Sequence, residues 1–361
     1  MIIRVTPFGR AYGKYAFKYT MITKNGASCA ITDLAGAVVS LRVPDKKGNI
    51  DDVVLGFDDV KQYVKNPGYL GALIGPVGNR IAGAEFKLGR KKYKFTPNEN
   101  GTTLLHSGAF GFHTRVWDSS IEADADKAVL TLKQTFASAE TAWPGDLDVT
   151  VRYSFFEDNS LRIDYHIESD ALTFASPTNH TYFNIAGLHS GKRVPSVARQ
   201  TVQIFADKYT AVAEGSIPTS AESVEGTPFD LRAPKKLADG FALERQNAQL
   251  TIGAGYDHNY VLSEPVDLTG LRRAACVCDR LSGRVMNVYT DMPCVQLYTA
   301  NHLRRYNAAE KVTYGKRRAL CLETQCAPDS IHHEGQDGFD VIRIDSEHPF
   351  DSSTVYAFSV K

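Results

Sequence analysis

Wherever the hydrophobic pattern of this chain is legible, its period is two. Val149, Val151, Tyr153 and Phe155 fall on one face, the polar run Glu157-Asp158-Asn159-Ser160 interrupts, and Leu161, Ile163, Tyr165 and Ile167 resume the alternation. Successive side chains of a strand point to opposite faces, so alternation on both sides of a polar turn predicts a β-hairpin. Phe86 and Leu88, then Gly89-Arg90, then Tyr93 and Phe95 predict a second one. Residues 129–136 and 285–298, rich in β-branched and aromatic side chains, read as further strands. Only short stretches, such as 59–64 and 237–243, read as helical turns, and neither sustains the 3.6-residue period of a helix packed on a parallel sheet. Turn residues are spread evenly, with no linker and no internal repeat. The pattern therefore predicts an all-β fold, one large antiparallel β-sandwich with residues 1–361 as a single domain. The stretch 186–199, rich in Gly, Ser and basic residues, reads as a loop beside a site or as mobile chain.

Composition narrows the partners. Lys plus Arg and Asp plus Glu number 41 each, and no charged block stands out, so counterion-driven binding to nucleic acid is not expected. The N-terminal residues lack the apolar core of a secretory signal, and no apolar run approaches the ~20 residues of a membrane span. The expectation is a cytoplasmic protein without a membrane partner, either monomer or homodimer. Six cysteines are too few for a disulfide scaffold at this length and read as free thiols. Cys321, Cys326, His332 and His333 are ligand types, but they lack the paired spacing of a zinc knuckle, so no metal centre is expected.

Five segments carry polar residues inside otherwise strand-like sequence. In Gly75-Pro76-Val77-Gly78-Asn79-Arg80, an amide and a guanidinium stand side by side after glycines that permit close backbone approach. Taken alone, this is a bend with a surface ion pair. His106 lies between Leu104-Leu105 and Ser107-Gly108, followed by Phe112 and Trp117. His180, in Ser176-Pro177-Thr178-Asn179-His180-Thr181-Tyr182-Phe183-Asn184, sits among hydroxyl and amide groups able to fix its tautomer. Asp257 falls in Gly255-Tyr256-Asp257-His258-Asn259-Tyr260, and Glu323 follows the apolar Ala319, Leu320 and Leu322. A buried carboxylate must be paired or functional. Together the segments supply an acid, a base, neutral donors and the aromatics Phe112, Trp117, Tyr182 and Tyr298 for stacking on a sugar face. No nucleophile elbow, phosphate loop, dinucleotide fingerprint or zincin motif is present.

Read in order, the segments resemble the aldose 1-epimerase family along essentially the whole chain. GNRIAGAEF, LLHSGAFGF, WPGDLDVTVRYSF, PTNHTYFNIAG, GYDHNYVL, PCVQLYTAN and LETQCAPDSIH follow one another as the family's motifs do. The resemblance implies a β-sandwich of the galactose mutarotase type, an isomerase of hexose and galactose metabolism, no cofactor, and a free aldohexose such as glucose or galactose in an open cleft. It implies that Glu323 is the general base and His180 the general acid, with Glu323 ionised and His180 an imidazolium at neutral pH. By the same matching, Asn79, Arg80, His106, Tyr182, Asp257 and Gln296 hold the sugar. Two departures stand out: the family's GRxANR reads GPVGNR, and its HGG reads HSG. Pro76 is therefore expected to alter one cleft wall, and Ser107 to add a hydroxyl to it. Three rivals remain. One is an enzyme on another aldose or a hexose 6-phosphate, with Lys192-Arg193 or Arg304-Arg305 on the phosphate. A second is a non-catalytic sugar-binding protein. A third is a glycosidase using Asp257 with Glu323.

Overall fold

The computed structural model describes residues 1–188, 193–304 and 313–361. Strands dominate it, in three large antiparallel sheets. The N-terminal sheet is a meander of Ile2–Ala11, Lys14–Ile22, Ser28–Thr32, Val38–Pro44 and Ile50–Asp52. The broad sheet has nine strands, in the order Asp118–Ala123, Lys127–Phe136, Leu147–Phe156, Ser160–Ser169, Phe350–Val360, Arg284–Thr290, Arg272–Cys278, Thr201–Ile204 and Lys235–Lys236. The third, termed here the cleft sheet, runs Pro218–Ser223, Ala206–Val212, Asp257–Leu262, Cys294–Tyr298 and Cys321–Gln325. One buried apolar cluster joins all three, with Met21 and Leu41 from the N-terminal sheet, Leu130, Val151 and Ile163 from the broad sheet, and Val295 and Leu322 from the cleft sheet.

The period-two pattern maps directly onto pairing. Val149 pairs with Ile167, Val151 with Tyr165, Tyr153 with Ile163 and Phe155 with Leu161, so the apolar faces of the hairpin coincide. Full burial of such a side chain contributes about 1.5–3 kcal/mol. The turn closes with Asn159 at φ 67°, a left-handed conformation that Asn tolerates, and with the Asp158 carboxylate accepting from the Ser160 amide at 2.9 Å. The second hairpin sets Phe86 opposite Tyr93, their rings stacked at 5.5 Å. Both helical turns are present, Val60–Lys65 capped by the Asp59 carboxylate at 2.8 Å and Leu237–Ala242. Two more that the pattern did not mark, Ser138–Thr141 and Ala248–Ile252, are too short to show a period.

The apolar stretch 285–298 differs from a single run of strand. It divides into Arg284–Thr290 of the broad sheet and Cys294–Tyr298 of the cleft sheet. Pro293, which has no amide to give a ladder, stands at the crossing. The Thr290 hydroxyl accepts from the Met292 amide at 3.1 Å, and the Asp291 carboxylate accepts from the Ser353 amide at 3.0 Å. Among the described residues, no helix is long and apolar enough to cross a membrane.

Candidate active site

The floor of the cleft follows from strand register. In the cleft sheet, Asn259 pairs with Gln296 and Gln296 with Glu323; Asp257 pairs with Tyr298 and Tyr298 with Cys321. Directly opposed residues share a face, and so do residues two apart. Asp257, Gln296, Tyr298, Cys321 and Glu323 therefore stand on one side, while Leu297 and Leu322 pack into the cores on the other.

Two short ladders raise the walls. Thr178–Asn179 pairs with Leu73–Ile74, and the next residue, His180, exchanges backbone hydrogen bonds with Ala72 and Gly71 at 2.9 Å each. A Cβ on Gly71 would meet the Val38 carbonyl at 2.2 Å, so only glycine fits there. Arg80–Ile81 pairs with Leu104–Leu105, which sets Asn79 beside His106. The Asn79 amide donates to His106 Nδ1 at 3.1 Å, and the His106 amide returns a bond to the Asn79 carbonyl at 2.9 Å. Both residues have left-handed backbone, with φ 60° and 52°, a conformation that Asn and His adopt more readily than most side chains.

These elements enclose a cavity of about 370 Å³ lined by Tyr69, Asn79, Arg80, Glu99, His106, His180, Tyr182, Asp257, Tyr298, His302, Arg304 and Glu323 among others. That is a fitting size for a small ligand. Glu323 Oε1 lies 3.8 Å from His180 Nε2, and both side chains are buried. Among the described residues, Glu323 Oε2 and Gln296 Oε1 have no hydrogen-bond partner, whereas Gln296 Nε2 donates to Asp257 at 2.7 Å. A buried polar atom left unpaired costs about 1–3 kcal/mol, so these two oxygens are sites for ligand hydroxyls. Arg80 is clamped from the side by the Glu99 carboxylate at 2.7 and 2.9 Å. Its remaining nitrogen, Nη1, lies 3.4 Å from the Asn79 amide oxygen. Tyr182 stacks on His180 with ring centres 4.9 Å apart and donates to the Gly68 carbonyl at 2.8 Å.

Burial controls the electrostatics. It pushes the Glu323 carboxyl up to about 8, helped by the neighbouring Asp257 charge and opposed by Arg80. It also pulls His180 down to about 4. The expected carboxylate and imidazolium are thus reversed by the protein's own surroundings: at neutral pH the shared proton rests on Glu323, because each group escapes desolvation by being neutral. His106 is pulled well below its ordinary value, first by burial and then by the positive charge of His180, His113 and Arg80. As a neutral ring accepting at Nδ1, it carries its proton on Nε2. Ligating atoms of His106, His180 and Glu323 all lie within 4.8 Å of one another. His106 Nε2 is nonetheless a donor in this arrangement, which suits a hydroxyl oxygen better than a metal ion.

The predicted site residues Asn79, Arg80, His106, His180, Tyr182, Asp257 and Glu323 all line this cavity, and Gln296 contacts Asp257 beneath it. Three other readings need correction. Phe112 and Trp117 are core residues: the Phe112 ring fills the space where a Gly75 Cβ would stand, at 2.3 Å, and the Trp117 indole donates to the Phe112 carbonyl at 3.1 Å. Pro76 is buried away from the cleft lining, and its carbonyl accepts from the Ser176 amide at 2.9 Å. The Ser107 hydroxyl bonds the Val77 amide and carbonyl at 3.0 and 2.8 Å, so it supports the bend and does not line the cleft. Cys321, Cys326, His332 and His333 do not gather: Cys321 Sγ contacts His180 Nδ1 at 3.5 Å, while His332 bonds Asp329 at 2.7 Å. Arg304 lines the cleft and Arg193 an adjoining cavity; Lys192 and Arg305 lie outside the described residues. Sequence reasoning missed Tyr69, Glu99 and His302, which stand in loops without any periodic signal.

Comparison with known proteins adds the family context. The family model described as aldose 1-epimerase matches residues 18–343. Bovine galactose mutarotase is 35% identical over 325 residues, 90% of this chain and 88% of its own length. The aldose 1-epimerase of Escherichia coli K12 is 32% identical over 319 residues, 87% of this chain and 88% of its own. Among solved structures, galactose 1-epimerase from Lactobacillus acidophilus superimposes with a TM-score of 0.83 at 23% identity, covering 99% of each chain. An aldose epimerase homologue from C. elegans gives 0.82 at 23%, covering 94% of this chain and 98% of its own.

Proposed function

The chain belongs to the aldose 1-epimerase family of isomerases, and from that premise we propose that it interconverts the α and β anomers of free aldohexoses such as glucose and galactose. The observation that supports the assignment of roles is the buried pair Glu323 and His180, 3.8 Å apart at the bottom of a hexose-sized cleft. Sugar hydroxyls donating to Glu323 favour its carboxylate, so binding moves the shared proton to His180. Glu323 then takes the proton of the anomeric hydroxyl while His180 protonates the ring oxygen. The bond between C1 and the ring oxygen breaks, leaving the open-chain aldehyde. At that point the proton sits on Glu323 and His180 is neutral, which is the distribution that burial favours. Rotation about C1–C2 presents the other aldehyde face. Glu323 returns its proton to the aldehyde oxygen, His180 recovers the one on the ring hydroxyl, and the opposite anomer closes. Arg80, His106, Asn79, Asp257 and Gln296 orient the hydroxyls.

Polarimetry of freshly dissolved α-D-glucose and α-D-galactose tests this reading: the protein should speed equilibration above the spontaneous rate, and no acceleration on either sugar would refute it. Arg304 in the cleft lining favours one second reading, a hexose bearing an anionic group. A hexose 6-phosphate turned over in preference to the free sugar would establish that reading instead.

A further inference from the structure

The outer face of the broad sheet carries reactive groups that the cleft does not use. In the strand Arg272–Cys278, Val277 is fully buried, while Cys276 and Cys278 stand half-exposed on the opposite face. The period of two brings them side by side, with their sulfurs 3.8 Å apart. The other four cysteines, Cys29, Cys294, Cys321 and Cys326, are buried. Across the ladder, Cys278 faces Thr201 and Cys276 faces Gln203, both polar. Lys361 bears on both sulfurs and Arg273 on Cys276, adding positive charge.

We propose that Cys276 and Cys278 are a reversible oxidation site, closed to an intrachain disulfide by hydrogen peroxide. The two sulfurs share one hydrogen bond in which either can donate; when Cys276 donates, that bond and the Lys361 charge lower the pKa of the Cys278 thiol, and the same bond raises that of Cys276. Either sulfur can hold the thiolate; with Cys278 as the nucleophile, Cys276 is the resolving thiol. The Cys278 thiolate attacks one peroxide oxygen, forming an S–O bond as the O–O bond breaks, and the departing hydroxide takes up a proton as water. The Cys276 sulfur then attacks the Cys278 sulfur; the S–S bond forms, the S–O bond breaks, and the hydroxyl leaves with the Cys276 proton as a second water. The dithiol loses two electrons and the peroxide gains them. Among the described residues, His, Cys, Asp and Glu gather in a group of three only in the cleft, so this pair lacks the further ligands of a structural zinc site. Residues two apart in a strand have Cα atoms about 6.4–6.8 Å apart, the upper end of what a disulfide spans. The closed form is accordingly under tension, and a dithiol reductant reopens it.

The experiment exposes the native protein to hydrogen peroxide, quenches, alkylates under denaturing conditions and weighs the tryptic peptides. Both cysteines fall in one peptide, residues 274–280, bounded by Arg273 and Arg280. The expected result is that this peptide becomes lighter by two hydrogens and loses both alkylation sites, that the buried cysteines keep theirs, and that dithiothreitol reverses the change. In Cys276→Ser, the Cys278 sulfur should stop at a sulfenic acid that dimedone traps; in Cys278→Ser, Cys276 should stay alkylatable. A wild-type peptide that keeps both alkylation sites, or that gains oxygen without losing two hydrogens, overturns the proposal. That reading needs no variant to fold.

Discussion

Two buried polar centres of this protein hold charge-bearing side chains, and they are finished differently. Arg284, in the broad sheet, donates to the carbonyls of Val43, Pro44 and Asn49 at 3.2 Å and to those of Ile185 and Ala186 at 3.5 and 3.3 Å. Each of its three nitrogens has a partner, and the bonds tie the N-terminal sheet to the 185–186 turn. In the cleft, among the described residues, Glu323 Oε2 and Gln296 Oε1 have no partner, although Arg80 is held by Glu99 and, at Nη1, by Asn79. Burial is the same in kind at both centres. What separates them is completeness: the closed centre stabilises the fold, and the open one holds unmet hydrogen-bonding capacity for a ligand.

The sharpest way to break this comparison is to neutralise the open centre. Glu323→Gln or His180→Asn should lower the polarimetric rate by about 10²–10⁴ each, the usual worth of a positioned acid or base. Neither should lower the urea midpoint, since each removes a group that burial disfavours in its charged form. Loss of stability without loss of rate would make the pair structural. Next in size, Arg284→Met should show the reverse profile: a stability loss of about 3 kcal/mol in urea unfolding, because several carbonyls lose their donor, with the rate per folded molecule unchanged. Glu99→Gln should sit between the two. It loosens Arg80 without touching the reacting atoms, so KM should rise about tenfold while kcat holds; a fall in kcat alone would give Glu99 a different duty.

The smallest expected effect is in the pH profile of the wild type. Below about 4, Glu323 and His180 both hold protons and no base remains; above about 8, Glu323 loses the last proton and no acid remains. The profile of kcat/KM should be a bell with limbs near these values, falling about tenfold per pH unit outside them. Limbs at the ordinary carboxyl and imidazole values would mean that burial does not set the resting proton.

Much of the fold was legible because alternation is a local signal. The hairpin residues around 149–167 and 86–95 pair as their period requires. Which sheet a strand enters is not local, so 285–298 read as one run although Pro293 marks the change of sheet. The same limit governs the site. Residues in compact motifs were visible, whereas Glu99 and Tyr69 act through partners distant in sequence, Arg80 and His106. Phe112 and Trp117 misled because an aromatic beside glycines reads alike whether it faces a sugar or fills the space over Gly75. Ser107 misled similarly, since its hydroxyl serves the backbone of the bend that carries Asn79. The protonation states were beyond reach, because desolvation depends on everything packed around a group.

The edge position of Cys321–Gln325 gives the cleft sheet an unusual arithmetic. Moving this strand by one residue would keep its ladder and its apolar content, yet turn Leu322 and Thr324 toward the cleft and Glu323 into the core. Parity is therefore what must be guarded, and the guard stands on the far face. The Thr324 hydroxyl meets that of Thr354 at 2.6 Å, and the Tyr356 hydroxyl holds the Leu322 carbonyl at 3.0 Å. A strand of the broad sheet thus acts as a ratchet pawl: it never approaches the cleft, and it decides whether a folded molecule carries a carboxyl there at all.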